Sequence, residues 1–205
     1  MKMEVKISKK PVDYTESMKI LEQRVEDVYL SKKEELLWIL EHDVTYTSGT
    51  SGNNIDVIDK NLNIIKTNRG GKITVHSPGQ KIVYFVINLN KRGKDIRKLV
   101  RKVENCIIKI LSNYNVKTYS DAKNIGIWLR IKGKEKKVAA IGIKVKKWIA
   151  YHGFSINIKN DLNLYNKIIP CGIKDKGVIS IFKFNKEKCK DINKIITEEF
   201  LNIFP

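Results

Sequence analysis

The sequence predicts an α+β fold, a single domain over residues 1–205 with a mixed or antiparallel sheet packed by helices. Three observations point there. Segments with apolar residues at helical spacing are interleaved with short strand-like runs. The strand-like runs sit beside one another more often than they flank a helix, so hairpins outnumber β-α-β units. The four prolines (11, 78, 170 and 205) gather into no linker, and no internal repeat is visible.

The elements follow in chain order. Asp13 and Glu16 form a variant capping box. Behind it Met18, Leu21, Val25 and Val28 recur at helical spacing. Residues 36–41, Leu-Leu-Trp-Ile-Leu-Glu, read as a buried strand that runs into His42 and a Gly/Ser-rich loop at 47–54. After Arg69-Gly70-Gly71, residues 72–76 alternate like a strand. Residues 77–80 (Ser-Pro-Gly-Gln) read as a turn, and 82–89 as a second apolar strand, so the two strands are expected to pair as a hairpin.

Asp95 can cap a long helix whose apolar face is Ile96, Leu99, Val100, Val103, Cys106, Ile107 and Ile110. Strands are expected at 125–131 and 138–146, joined by a charged turn at 132–136, with strand-like sequence at 148–158 broken at His152-Gly153. Residues 161–168 suggest a short helical turn, and Pro170-Cys171-Gly172 a sharp loop. A closing amphipathic helix over 191–200 turns Ile192, Ile195, Ile196 and Phe200 inward.

Composition narrows the classes. A chain of 205 residues can bury roughly 70% of its unfolded surface without crosslinks. No apolar run of about 18 residues exists, so no membrane span is expected. The lysine-rich start lacks the apolar segment of a secretory signal. The net charge is +18, and only six of the 40 basic residues are Arg. Such a surface attracts anionic partners. A Lys/Ile/Asn excess is also what an AT-rich genome imposes.

Cys106, Cys171 and Cys189 form no Cys-x-x-Cys pair, so neither zinc nor a disulfide frame is suggested. Cys106 falls on an apolar helix face and reads as packing. Cys171 sits between Pro and Gly at a loop apex, where a nucleophile needs a neighbouring base or cation. His42, His76 and His152 are each open to that role or to a structural one. Lys137, in a run of lysines, reads locally as a solvated turn. Neither a P-loop nor Gly-x-Gly-x-x-Gly is present.

Five segments occur together in order. They are Glu41-His42 with Tyr46-Thr47, the stretch Arg69-Gly70-Gly71-Lys72-Ile73-Thr74-Val75-His76-Ser77-Pro78-Gly79-Gln80, then Lys137-Val138-Ala139-Ala140-Ile141-Gly142, then His152-Gly153-Phe154-Ser155-Ile156-Asn157, and Ile169-Pro170-Cys171-Gly172. In this order the chain resembles the lipoyl(octanoyl) transferase family from about residue 36 to 181. The resemblance implies the catalytic fold shared with biotin and lipoate protein ligases.

The resemblance implies transfer of octanoyl from octanoyl-acyl carrier protein to a lysine of lipoyl domains, the first step of endogenous lipoylation. The acceptors would be the lipoyl domains of 2-oxoacid dehydrogenase E2 subunits and the glycine cleavage H protein. Cys171 would be the nucleophile that carries the acyl group as a thioester. Lys137 would be its acid/base partner and favour the thiolate. Acyl binding would fall to Arg69, Gly70, Gly71, Lys72, Ile73, Thr74, Val75, His76, Ala140, Ile141, Gly142, Gly153, Phe154 and Ser155, with His152 and Asn157 in support. No cofactor, metal, nucleic acid or membrane is implied, and the location would be cytoplasmic. Ser77 and Ser155 stand where the family usually has Gly and Ala, and Ser48-Gly49-Thr50 where Leu-Gly-Arg is usual.

Two rivals differ in class. A ligase would need an adenylate-binding loop rich in Arg and Gly, which is not seen. A nucleic-acid-binding module would want Arg and aromatics interleaved, whereas the positive charge here is mainly Lys, and aromatics are 8%.

Overall fold

A computed structural model of the chain describes residues 2–169, 176–184 and 191–205. The fold begins with a strand that the sequence reading did not anticipate. β1 (Met3–Ile7) pairs in parallel with β2 (Glu35–Leu40), and α1 (Tyr14–Tyr29) connects them. Asp13 caps α1 by accepting from the Glu16 N–H at 2.8 Å. The chain then builds β3 (Thr45–Ser48), β4 (Ile64–Lys66) and β5 (Ile73–His76). These three form a small sheet in the order β4-β3-β5.

β6 (Gln80–Asn88) returns to the large sheet. Helix α2 (Ile96–Ser112) follows, capped by Asp95, and then β7 (Tyr119–Ser120), β8 (Ile127–Ile131), β9 (Lys134–Lys146) and β10 (Ile149–Asn157). β11 (Gly177–Val178) and α3 (Ile192–Ile203) complete the described chain. The large sheet runs β1-β2-β6-β10-β9-β8-β7, with β11 added in parallel to β9. Two of its pairings are parallel and the others antiparallel, so the expected α+β fold with a mixed sheet is observed.

The expected hairpin of β5 with β6 does not form. The turn between them is tight, with the Gln80 N–H on the Ser77 carbonyl at 3.1 Å, yet the two strands enter different sheets. Both edges of β6 are taken by β2 and β10, while β5 is taken by β3. Glu41 pins the crossing point by accepting from the Gly79 N–H and from Lys81 Nζ, each at 2.7 Å.

Three further features differ from expectation. The charged turn is short, because β9 already starts at Lys134. β10 is unbroken at His152-Gly153 and pairs on both sides there. Ile96 is exposed in the first turn of α2, while Leu99, Val103, Cys106, Ile107 and Ile110 are buried as the helical spacing requires.

The large sheet has two covered faces. One carries α2 and α3 over the main core, where Phe85, Phe200 and Phe204 meet with ring centroids 4.7–6.5 Å apart. On the other, α1 packs over Leu36, Trp38, Tyr84 and Tyr151. Among the described residues no helix is long and apolar enough to cross a membrane. Phe200 is fully buried, so Phe200→Ala leaves a large cavity and should cost about 3–5 kcal/mol. The midpoint of urea unfolding measures it.

Candidate active site

The cleft lies where the small sheet meets the large one. The Arg69-Gly70-Gly71 loop rests on β9, with the Gly70 N–H on the Ile143 carbonyl at 3.3 Å. The approach is close. A Cβ at Gly142 would lie 3.1 Å from the Gly70 carbonyl oxygen. The Arg69 guanidinium is buried and donates to the Thr47 carbonyl, Thr47 Oγ1 and the Gly70 carbonyl at 2.9–3.0 Å. A charge-assisted donor thus ties the loop to β3.

Beneath the loop is a narrow cleft with about 60 Å³ of space open to a water-sized sphere. Its lining includes Arg69, Gly71, Lys72, Ile73, Thr74, His76, Ala140, Ile141, Gly142, Gly153, Phe154 and Ser155, and also His152. Twelve of the fourteen residues that the resemblance implied for acyl binding therefore line one cavity. Gly70 and Val75 stand outside the lining: Gly70 seats the loop, and Val75 is a core residue of the small sheet. Phe154 touches the cleft but belongs to the main core on the opposite face.

Sequence reasoning missed Tyr14, Ile82 and Tyr84, which also line the cleft. The signal was the alternation Gln80, Ile82, Tyr84, which puts all three on one strand face.

Lys137 lies in a small adjoining pocket with Asn157, Tyr165 and Val178. Thr74, Ala140 and Ser155 line both cavities. Lys137 is 6% exposed, unlike the solvated turn suggested by its neighbours in sequence. Its ammonium donates to the Ile125 carbonyl at 3.1 Å and lies 4.6 Å from the centre of the Trp128 ring. A bulge directs it. β9 moves from Ala139 to Lys137 while β8 moves only from Ile127 to Trp128. The extra residue, Val138, enters the main core, and Lys137 joins Ala140 and Ser155 in the cleft wall.

Pro170, Cys171 and Gly172 lie outside the described residues, as does Cys189. The described chain on either side is anchored. The Ile169 N–H donates to the Asp56 carbonyl at 2.7 Å, and Ile168 bridges to Val57. Lys176 pairs with Glu135 at 2.7 Å and with Asp121 at 3.5 Å, and stands 4.7 Å from the same Trp128 ring. Val178 is laddered to Lys137 itself. Cys106 is buried in the main core, and burial pushes its thiol up to about 12.

All three histidines are buried and committed to partners. His42 Nδ1–H donates to the Val12 carbonyl at 2.6 Å, which leaves Nε2 to accept the Tyr84 hydroxyl at 2.8 Å. His76 Nδ1–H donates to Gln80 Oε1 at 2.7 Å. Gln80 in turn donates to Asn157 Oδ1 and Tyr165 Oη.

His152 owes its place to a backbone turn. With φ at +67°, it leaves the alternation of β10 and stacks on Tyr151. That left-handed conformation costs on the order of 1–3 kcal/mol for a non-glycine residue. Glu22 fixes the Asn68 amide by accepting its Nδ2–H, so Asn68 Oδ1 accepts His152 Nε2–H at 2.7 Å. Gly153 follows because a Cβ there would lie 2.0 Å from the Val83 carbonyl oxygen.

Burial, with Arg69 nearby, lowers His76 and His152 to about 3, and burial also lowers His42. The unfolded chain therefore binds more protons than the folded one between about pH 3 and the ordinary histidine value near 6.5. Stability is full above that window and falls as pH drops through it. His76 and His152 each contribute a slope of about 1.4 kcal/mol per pH unit. Carboxylates such as Glu135 and Asp121, both lowered to about 2, add the same sign only below about pH 4.5. Unfolding free energies measured from pH 7 to 4.5 should fall along that slope, and His152→Gln should flatten it.

Comparison with known proteins adds a family. The chain matches the Lipoyl protein ligase A/B catalytic domain over residues 13–201. It is 42% identical to the octanoyltransferase of Wolbachia pipientis subsp. Culex pipiens over 97% of this chain and 98% of that protein. It is also 42% identical to the octanoyltransferase of Ehrlichia chaffeensis, over 98% of this chain and 96% of that protein. A bipartite lipoate protein ligase from Thermoplasma acidophilum has the same fold at a TM-score of 0.74 and 14% identity, covering 99% of this chain and 84% of that one. Lipoate-protein ligase A bound with ATP matches at 0.75 and 14%, covering 100% and 86%.

Proposed function

Because this chain belongs to the lipoyl protein ligase A/B catalytic domain family, and within it to the octanoyltransferases, we propose that it moves an octanoyl group from acyl carrier protein to a lipoyl-domain lysine through an acyl-Cys171 thioester. The observation that carries this reading is the position of Lys137. A buried ammonium stands at the end of an apolar-walled cleft, and the strand that follows the Cys171 segment is laddered to it. Tyr165 and Val178, six residues before and seven after Cys171, line the pocket that holds Lys137.

The Cys171 thiolate attacks the thioester carbonyl of octanoyl-acyl carrier protein. The carrier leaves as a thiolate that takes up a proton, and octanoyl-Cys171 remains. The ε-amine of the acceptor lysine then attacks the new thioester. An amide forms, the C–S bond breaks, and Cys171 departs as thiolate. Lys137 serves both halves. Its cationic form stabilises the thiolate, and its amine relays the proton that the acceptor nitrogen loses. Thioester is exchanged for amide, so ATP is not consumed. The partners are protein-borne throughout. They comprise acyl carrier protein and the lipoyl domains of 2-oxoacid dehydrogenase E2 subunits and the glycine cleavage H protein, all met in the cytoplasm.

Intact mass after incubation with octanoyl-acyl carrier protein tests the intermediate. The wild-type chain, Cys106→Ser and Cys189→Ser should each gain one octanoyl group, and Cys171→Ser none. Equal labelling of Cys171→Ser sinks the mechanism. Lys137→Ala should slow both half-reactions by roughly 10²–10⁴-fold, the usual share of a general acid/base. Lys136→Ala should leave them near the wild-type rate.

The charge of +18 supports electrostatic steering of acidic carrier and acceptor domains, with Lys72 half-exposed at the cleft. On that reading kcat/KM falls as salt is added. A flat salt profile removes steering from the account.

A further inference from the structure

The cleft has a patterned floor and one closed end. Paired residues of adjacent strands share a face, so the register sets out the floor as successive rungs. The first is Asn157 beside Gln80. The second is Ser155 between Ile82 and Ala140. The third is Gly153 between Tyr84 and Gly142. Small residues on β9 and β10 keep the trough open. Lys137 shares its pocket with Asn157, at the first rung.

Tyr84 closes the third rung. Its ring is 5% exposed and packs against Trp38, His42 and His152 with centroids 5.7–6.5 Å apart. Its hydroxyl donates to His42 Nε2 at 2.8 Å, and His42 is itself held by the Val12 carbonyl. Behind it, α1 covers the sheet. The side chain is therefore a fixed wall and not a rotamer that swings aside.

The dimensions carry the argument. Four residues separate the Asn157 and Tyr84 rungs, which is about 13 Å of strand. A van der Waals contact with the ring takes up about 3.5–4 Å of that. Counted between backbone rungs, roughly 9–10 Å of trough remains. A straight acyl chain of eight carbons has seven C–C bonds of ~1.5 Å in zigzag and spans about 9 Å.

Resting on the acyl-transfer reading above, we propose that Tyr84, latched by His42, is the residue that sets the length of acyl chain the cleft accepts. Chains of ten or more carbons meet the ring before their carbonyl reaches Lys137. Chains of six leave the last part of the trough unfilled.

The test compares wild type with Tyr84→Leu, which keeps apolar volume in the wall, Tyr84→Ala, and Tyr84→Trp. Two readouts are taken across six-, eight-, ten- and twelve-carbon chains. One is transfer from acyl-acyl carrier protein. The other is equilibrium binding of the free fatty acids, which needs no chemistry. Wild type should peak at eight carbons in both. Tyr84→Leu and Tyr84→Ala should move the peak to ten or twelve, changing the ten-to-eight ratio on the order of tenfold or more. Tyr84→Trp should move it to six. If transfer is absent but the binding optimum moves, the gauge stands and the transfer reading falls. A binding optimum that stays at eight carbons in folded Tyr84→Leu and Tyr84→Trp overturns the gauge, whatever transfer does.

Discussion

Between Ala139 and Lys137, β9 advances two residues while β8 advances one, from Ile127 to Trp128. Strict alternation would set Lys137 on the face opposite Ala140. With the bulge, the ammonium enters the cleft wall and Val138 enters the core. The surroundings are built to that position. Trp128 offers its ring to the charge, and the Ile125 carbonyl accepts from it. Gly126 leaves room, since a Cβ there would lie 3.2 Å from Lys137 Nζ. A one-residue change of register moves the charge to a different compartment of the protein.

The rest of the cleft is organised as a meeting of two sheets. The Arg69 guanidinium is spent on backbone and Thr47, so it holds the roof in place. The contact of Gly70 with Ile143 then fixes the height of the roof above β9. Below it, three neutral histidines and two tyrosines form a packed polar end wall with tautomers set by Val12, Gln80 and Asn68. Buried polar groups with fixed partners hold one geometry.

Much of this was legible in the sequence, for physical reasons. The caps at Asp13 and Asp95 are local chemistry, and both helices start where their side chains accept from the expected N–H groups. The motifs 140–142 and 153–155 prove to be cross-strand partners, Ala140 with Ser155 and Gly142 with Gly153. They look separate only because a hairpin turn lies between them. That turn is Lys147-Trp148, with both residues at positive φ, which supplies the twist a two-residue hairpin needs. What stayed hidden was non-local. No local pattern shows that β6 already has two neighbours, so the expected β5–β6 hairpin was reasonable and wrong. Lys137 sat in a lysine run whose burial depends on the bulge and on Trp128 from another strand. Tyr84 was visible only as one of many apolar residues in a strand. β1 did show alternation at Met3, Val5 and Ile7, but its lysines masked it.

β1 gives those lysines a further meaning. Among the described residues it forms the outer edge of the large sheet, with Val5 and Ile7 partly exposed. An exposed strand edge is a template for unwanted pairing between molecules. Glu4 and Lys6 alternate along it, and Lys2, Lys9 and Lys10 flank it. A second chain approaching along this edge would bring two sets of flanking lysines together. The terminal lysines therefore insulate this edge against a second copy, however the genome came to favour that amino acid.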